Sequence, residues 1–296
     1  MRFVQSVSFT ETDQLVDLAR CIEEVGFDGI LLSDHLFYPE QLCSRYPYSP
    51  DGNPGFDGAT EWPDPWPAIA AMAQVTERVF FTTAIYILPL RDPLVVAKAA
   101  ATLQILTGGR FALGVGVGWM REEFDQLGLD FATRGRRTDE MIPLLRALWK
   151  GGMVEHHGEF FDFDRLQQSP APPCEIPIWV GGASPAALRR AGRLGDGWIG
   201  AGNTAAQIPP LLEEIARHRR QAGRDDRPFE VIAAITDPPT TDAIERLEAA
   251  GVTALVHYPL TFSLGPGSTL AQKRDALKRY ADEVIASGRP AQRPPR

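Results

Sequence analysis

The chain has 296 residues, 44% of them hydrophobic, enough to bury a large core, and its length suits one barrel-sized domain as well as two smaller ones. A net charge of −8 argues against a general nucleic-acid surface, and three widely spaced cysteines (Cys21, Cys43, Cys174) suggest neither a disulfide framework nor a zinc site. No apolar run reaches membrane-spanning length, and Met1-Arg2-Phe3-Val4 leads into a strand-like segment rather than a signal peptide, so a cytoplasmic protein without membrane partners is the expectation.

Arg2 to Phe9 reads as a strand. Thr12 to Val25 follows as a helix with Leu15, Leu18, Ala19 and Ile22 on one face and Cys21 in the core, stopped by Gly26. Gly29 to Ser33 is a second, wholly apolar strand that ends abruptly in Ser33-Asp34-His35. Residues 36–64, rich in Pro, Gly, Tyr and Asp, are too long for an ordinary connection and read as a loop over the strand ends. Asp64-Pro65 is an N-cap and N1 pair opening a helix to Thr76. Val79 to Leu88 reads as strand 3, the helix opened by Asp92-Pro93 runs to Gly108-Gly109, and Arg110 to Gly116 is strand 4. Thr138 to Lys150 is a helix, and Val154 to Pro173 breaks the rhythm as a small hairpin carrying His156 and His157. Strands 5 to 8 are Ile176–Val180, Gly197–Ala201, Glu230–Ile235 and Ala254–Tyr258. Helices fall at Ser184–Leu194, Ala205–Gln221, Thr241–Ala250 and Leu270–Ala286. Strand–helix alternation repeated eight times is the count of a (β/α)8 TIM barrel, with insertion loops after strands 2 and 4. The domain spans 1–287, and the Pro- and Arg-rich tail 288–296 is expected to fray. An open doubly wound sheet competes, but no GxGxxG follows strand 1.

A barrel of this kind places its active site at the carboxyl ends of its strands. There the chain offers Ser8, Asp34-His35, Thr83-Ala84-Ile85, Gly114-Val115-Gly116-Val117-Gly118-Trp119, Gly181-Gly182 and Gly200-Ala201. These are poor in charge, which suits a flat ring lying close to backbone better than a metal, and the convergent His and carboxylate ligands of a metallohydrolase are missing. Asp34-His35 reads either as an acid–base pair or as a satisfied local pair. The strand-4 glycines read either as tight packing at the rim or as backbone approaching a planar ligand. Gly181-Gly182-Ala183 running into Ser184-Pro185 presents free amides and a helix N-terminus, the makings of an anion site, or else an ordinary tight turn. Arg134-Gly135-Arg136-Arg137 and His156-His157 read as local ion pairs and surface.

Taken in order, several stretches resemble the luciferase-like flavin and deazaflavin oxidoreductases, and within them the branch that uses coenzyme F420. They are Gly26-Phe27-Asp28-Gly29 to His35, Thr83-Ala84-Ile85, Gly109-Arg110-Phe111 to Trp119, Arg136 to Glu140, and Ile178-Trp179-Val180-Gly181-Gly182 to Gly197-Trp198. The resemblance implies a cofactor ring over strands 3 and 4, against Thr83, Ala84, Ile85, Gly116, Val117 and Gly118, with a non-prolyl cis peptide at Ala84-Ile85. It implies a phosphate at Gly181, Gly182 and Ala183, flanked by Gly197 and Trp198. It also implies that Asp34 contacts the cofactor while His35 faces a small-molecule substrate as acid or base, in a homodimer. The sugar-phosphate dehydrogenase branch has a Glu where this chain has Trp119, so that branch's proton chemistry and substrate do not carry over. The implied activity is F420-dependent hydride transfer. FMNH2-dependent monooxygenation is the alternative, and a non-catalytic flavin-binding barrel is a third reading, disfavoured by the acid–base pair. The aromatic residues of the 36–64 loop, Phe37, Tyr38, Tyr46, Tyr48, Phe56 and Trp62, would roof the site and favour an apolar substrate.

Overall fold

The computed structural model describes residues 1–286, so the tail from Gly288 lies outside the described residues. Parallel strands β1 (Arg2–Ser6), β2 (Gly29–Leu32), β3 (Phe80–Thr83), β4 (Phe111–Gly116), β5 (Ile178–Gly181), β6 (Gly197–Ile199), β7 (Glu230–Ala233) and β8 (Ala254–His257) pair in chain order. β8 returns to β1, with Arg2 opposite Ala254 and Gln5 opposite His257, and this closure rules out the open sheet. Each strand is followed on the outside by a helix: α1 (Leu15–Glu24), α2 (Pro65–Ala73), α3 (Pro93–Leu106), α4 (Arg134–Trp149), α5 (Pro185–Leu194), α6 (Ile208–Gln221), α7 (Thr241–Ala249) and α8 (Leu270–Tyr280).

Local chemistry explains the helix starts. Asp64 accepts from the Trp66 amide at 2.9 Å and Asp92 from the Leu94 amide at 2.8 Å, each just ahead of an N1 proline. Side chains alternate across the strands. Val4, Leu31, Ala112, Trp179, Ile199, Ile232, Ala254 and Val256 fill the barrel interior, while Phe3, Ile30, Phe81 and Leu113 belong to the larger core between strands and helices.

Three departures from the sequence reading follow from local geometry. Strand 3 is not continuous to Leu88. It stops at Thr83, resumes as the short segment Tyr86–Ile87, and turns into a 3-10 helix at Leu88–Leu90. α4 starts at Arg134 rather than Thr138, because a 3-10 turn capped by Asp130 leads directly into it. The sequence reading also missed the short helix Arg121–Gln126 after β4. The hairpin, Val154–His157 with Asp162–Leu166, is as expected. It is held by Glu140 of α4, whose carboxylate accepts from the amides of Glu159, Phe160 and Phe161 and faces His156 at 2.9 Å.

Several motif residues of the resemblance act at the opposite, amino-terminal end of the barrel. Asp28 accepts from the Phe3 amide at 2.8 Å. Arg110 donates to the carbonyls of Ala73, Thr76, Val79 and Thr107, closing the ends of α2 and α3. Asp196 faces Arg146 and Arg224 and accepts from the Ile178 amide. Buried Glu23 accepts from the amides of Arg78 (2.6 Å), Val79 (2.9 Å) and Glu77 (3.0 Å). Burial raises its carboxyl pKa, but these amides outweigh that and hold it below its ordinary 4.5. Because its pKa is depressed in the fold, its contribution is present above 4.5 and is lost as pH falls through the lowered value. Glu23→Ala strands three amides and is expected to cost about 3 kcal/mol, read as a drop in the urea midpoint at neutral pH that narrows in acid.

Candidate active site

The site begins where strand 3 breaks. The Ala84–Ile85 peptide is cis, and Tyr86 and Ile87 rejoin β4 opposite Val115 and Gly116. The strand-4 glycines are explained by this bulge. A Cβ at Gly114 would lie 1.8 Å from the Thr83 carbonyl oxygen. At Gly116 it would lie 2.5 Å from Ile85 Cδ1, and at Gly181 2.4 Å from Ile85 Cγ2. Tight packing at the rim therefore accounts for Gly114 and Gly116, with the Ile85 side chain seated in the space they and Gly181 leave. Thr83 is fully buried and donates to the Gly114 carbonyl at 2.6 Å, so it supports the bulge from beneath rather than facing a ligand. Ala84, Ile85, Val117 and Gly118 remain half-exposed at the mouth.

Asp34, which the resemblance gives to the cofactor, is paired within the protein. Its carboxylate accepts from Arg91 at 2.6 and 2.7 Å, a bidentate pair, and from the Ile87 amide at 2.9 Å. Only 2% of its side chain is exposed. Burial pushes its carboxyl pKa up against the pull of Arg91 and the amide, while for Arg91 burial acts against the charge and Asp34 outweighs it. The Arg91 guanidinium and the Ile87 amide are the donors that favour its ionised form, and the nearby Glu123 opposes it. The Arg91 guanidinium also lies 4.3 Å over the Tyr86 ring and donates to the Ile87 carbonyl at 3.2 Å. The pair therefore clamps the two residues that follow the cis peptide.

His35 is the imidazole at the mouth. Its ring meets Trp62 at 4.9 Å and Trp119 at 5.6 Å, both edge-on, and Phe56 at 5.3 Å. Its Nδ1 lies 3.2 Å from Oε2 of Glu123, a fully buried carboxylate on the Arg121–Gln126 helix, whose Oε1 accepts from the Leu36 amide at 2.7 Å. The neighbouring Glu122 accepts from the amides of Cys43 and Ser44, so one short helix holds both His35 and the start of the 36–64 loop. Phe9, at φ 61 the one non-glycine residue with a left-handed backbone among those described, packs on Phe56, Trp62 and Phe262. Tyr46 meets Trp119 at 5.3 Å and Tyr48 at 5.4 Å. The loop thus covers the mouth as expected, except that Phe37 lines an outer groove with Glu122 and Asp125.

The turn after β5 forms a cradle. Gly182 has φ +108, and a Cβ there would meet Ala187 Cβ at 3.2 Å and the Tyr48 hydroxyl at 3.3 Å. Ala183 leads into the N-cap Ser184, whose hydroxyl accepts from the Ala187 amide at 3.3 Å. Trp198 is fully buried, and its indole N–H donates to the Gly182 carbonyl at 2.8 Å. It braces the cradle from behind and does not flank a ligand. Gly197 is likewise enclosed, between Trp179 and Glu230. His257 turns outward, hydrogen-bonds Gln5 at 2.6 Å and stacks on Tyr280 at 3.9 Å. No group of three or more His, Cys, Asp or Glu among the described residues could hold a metal ion.

Sequence reasoning missed Glu123 and Arg91. Glu123 carried a signal, as half of an acidic pair just beyond the glycine run. Arg91 carried none beyond its position next to the Asp92-Pro93 cap.

A parallel (β/α)8 barrel with a broken third strand and an imidazole at its carboxyl rim defines a TIM barrel of the bacterial-luciferase type. The sequence profile of luciferase-like monooxygenases matches residues 3–293, and the chain belongs to that family. An uncharacterized protein of Mycobacterium tuberculosis is 38% identical over 288 residues, 97% of this chain and 99% of that protein. An F420-dependent glucose-6-phosphate dehydrogenase of Nakamurella multipartita is 34% identical over 207 residues, 68% of this chain but 55% of its own length. Among solved structures, an F420-dependent secondary alcohol dehydrogenase in complex with an F420–acetone adduct superposes with a TM-score of 0.77 at 18% identity, over 98% of this chain and 99% of that one, a likeness of fold.

Proposed function

We propose that this chain is an F420-dependent oxidoreductase that moves a hydride between the deazaflavin and a small, neutral organic substrate, with His35 as the acid or base. The observation that carries this reading is the mouth itself: one imidazole set among Phe56, Trp62 and Trp119, on a barrel whose third strand breaks at Ala84–Ile85. We read the mouth as the seat of a long, flat cofactor with a phosphate. Ala84, Ile85, Val117 and Gly118 would lie along the ring, and Gly181, Gly182 and Ala183, with the Tyr48 hydroxyl over them, would hold the phosphate. When bound, the deazaflavin supplies a hydride acceptor or donor. The protein's part is to position the reactants, exclude water under the aromatic roof, and hold or release one proton at His35. The choice of F420 is supported by the Nakamurella dehydrogenase. An FMNH2-dependent monooxygenase is the second reading, favoured by the family's description.

We read residues 1–287 as one domain in a cytoplasmic protein. No helix among the described residues is long and apolar enough to cross a membrane. A homodimer is supported by exposed Val95, Ile105 and Leu106 on α3. The test is anaerobic reduction of F420, followed by loss of its fluorescence, across neutral alcohols. Turnover is expected. Oxygen consumption with FMNH2, and none of this turnover, would overturn the reading.

A further inference from the structure

Glu123 is fully buried, and among the described residues its carboxylate meets two donors, the Leu36 amide at 2.7 Å and His35 Nδ1 at 3.2 Å. A buried carboxylate given one neutral amide alone would be left poorly compensated, so the imidazole must complete its set. That requirement decides a proton. If Nδ1 carries the hydrogen it donates to Oε2, and Nε2 is left bare; in the other tautomer, Nδ1 and Oε2 would face each other as two acceptors. No protein partner meets Nε2 among the described residues.

We propose that Glu123 is the positioning residue of the site. It fixes the His35 ring and its Nδ1–H tautomer, so that Nε2 stands free to take the substrate's proton, and it balances the imidazolium that results. The inference rests on the reading of His35 as acid or base. In the oxidising direction the substrate O–H bond breaks and its proton moves to Nε2, the hydride of the adjacent C–H bond would pass to the deazaflavin, and the Nδ1–H hydrogen bond to Glu123 is kept. In reverse, the imidazolium returns that proton to the product oxygen. One carboxylate grips the imidazole and the peptide next to it, which fixes the ring's attachment as well as its tip.

The surroundings isolate this pair. The rings packed on His35 are Trp62 and Phe56 from the loop and Trp119 from the turn after β4, none of which titrates. Tyr38 lies behind Phe56, and Tyr46 behind Trp119. Asp34 and Arg91 also feel the charge of Glu123, and they are paired with one another.

The first readout needs no loaded enzyme. In 15N-labelled protein, long-range imidazole correlations are expected to show His35 protonated at Nδ1 and bare at Nε2. Glu123→Gln keeps an acceptor for the Leu36 amide but turns an NH2 toward Nδ1, and is expected to move the proton to Nε2. Its kcat with F420 should fall about a hundredfold or more, with KM and F420 affinity within about threefold. An Nε2–H tautomer in the wild-type protein, or a Glu123→Gln enzyme with unchanged kcat, would overturn the proposal. If the wild-type protein turns over nothing with F420 yet shows the Nδ1–H tautomer, the functional reading falls and the proton placement stands.

Discussion

Replacing His35 with alanine is expected to lower kcat for F420 reduction by about 10²–10⁴-fold while leaving F420 affinity within about threefold. The expectation comes from the lack of any substitute. Burial, with Tyr48 and Tyr258 nearby, pushes the Tyr46 phenol up to about 12, so it gives no base near neutral pH. Asp34 is bound at both oxygens. Burial pushes His257 down to about 4, and its outward stacking on Tyr280 keeps it from the mouth. The rings on His35 carry no exchangeable proton of suitable acidity. Steady-state kinetics with near-ultraviolet circular dichroism, which reports Trp62 and Trp119, would separate lost chemistry from lost packing. A variant with wild-type kcat would take His35 out of the mechanism.

Arg91→Ala is expected to destabilise the fold by about 3–5 kcal/mol, because it leaves the Asp34 carboxyl buried without its partner. The double variant Asp34→Ala/Arg91→Ala should lose less than Arg91→Ala alone, since no charge is then stranded. The cycle also bears on the site. The pair clamps Ile87 at both its amide and its carbonyl, two residues beyond Ala84–Ile85. The double variant should therefore bind F420 more weakly than the wild type even where it remains folded. Urea unfolding measures the first effect and fluorescence titration the second. A loss under about 1 kcal/mol for Arg91→Ala would mean that the pair is not the clamp described here.

The barrel was legible because its signals are local and repeat: apolar strands, capped helices and glycine stops recur with the right spacing through β8. The site was legible in outline. His35 and the Gly181-Gly182 turn could be found because each stands at a strand end. The partners could not, since Asp34 meets Arg91 57 residues away and His35 meets Glu123 88 residues away, contacts that no periodicity encodes. The glycine run at the end of strand 4 left tight packing and a ligand lying on bare backbone both open. Gly114 and Gly116 make room for Thr83 and Ile85, the packing reading, with partners visible only once the break in strand 3 is seen. Trp198 misled for a related reason. The resemblance implied that it flanks the ligand, whereas its N–H is spent on Gly182 inside the core. Arg134-Gly135-Arg136-Arg137 read as a basic cluster ahead of the helix, yet it forms the first turn of α4, with Arg134 stacked on Phe131 and Arg190 donating to the Gly135 carbonyl.

The most direct test of the central claim is a pair of ligand titrations on the wild-type protein, F420 and FMN each followed by quenching of its own fluorescence. The account predicts saturable, micromolar or tighter binding of F420 that weakens when Gly182 is replaced by valine, and much weaker binding of FMN. Tight binding of FMN with none of F420 would contradict it.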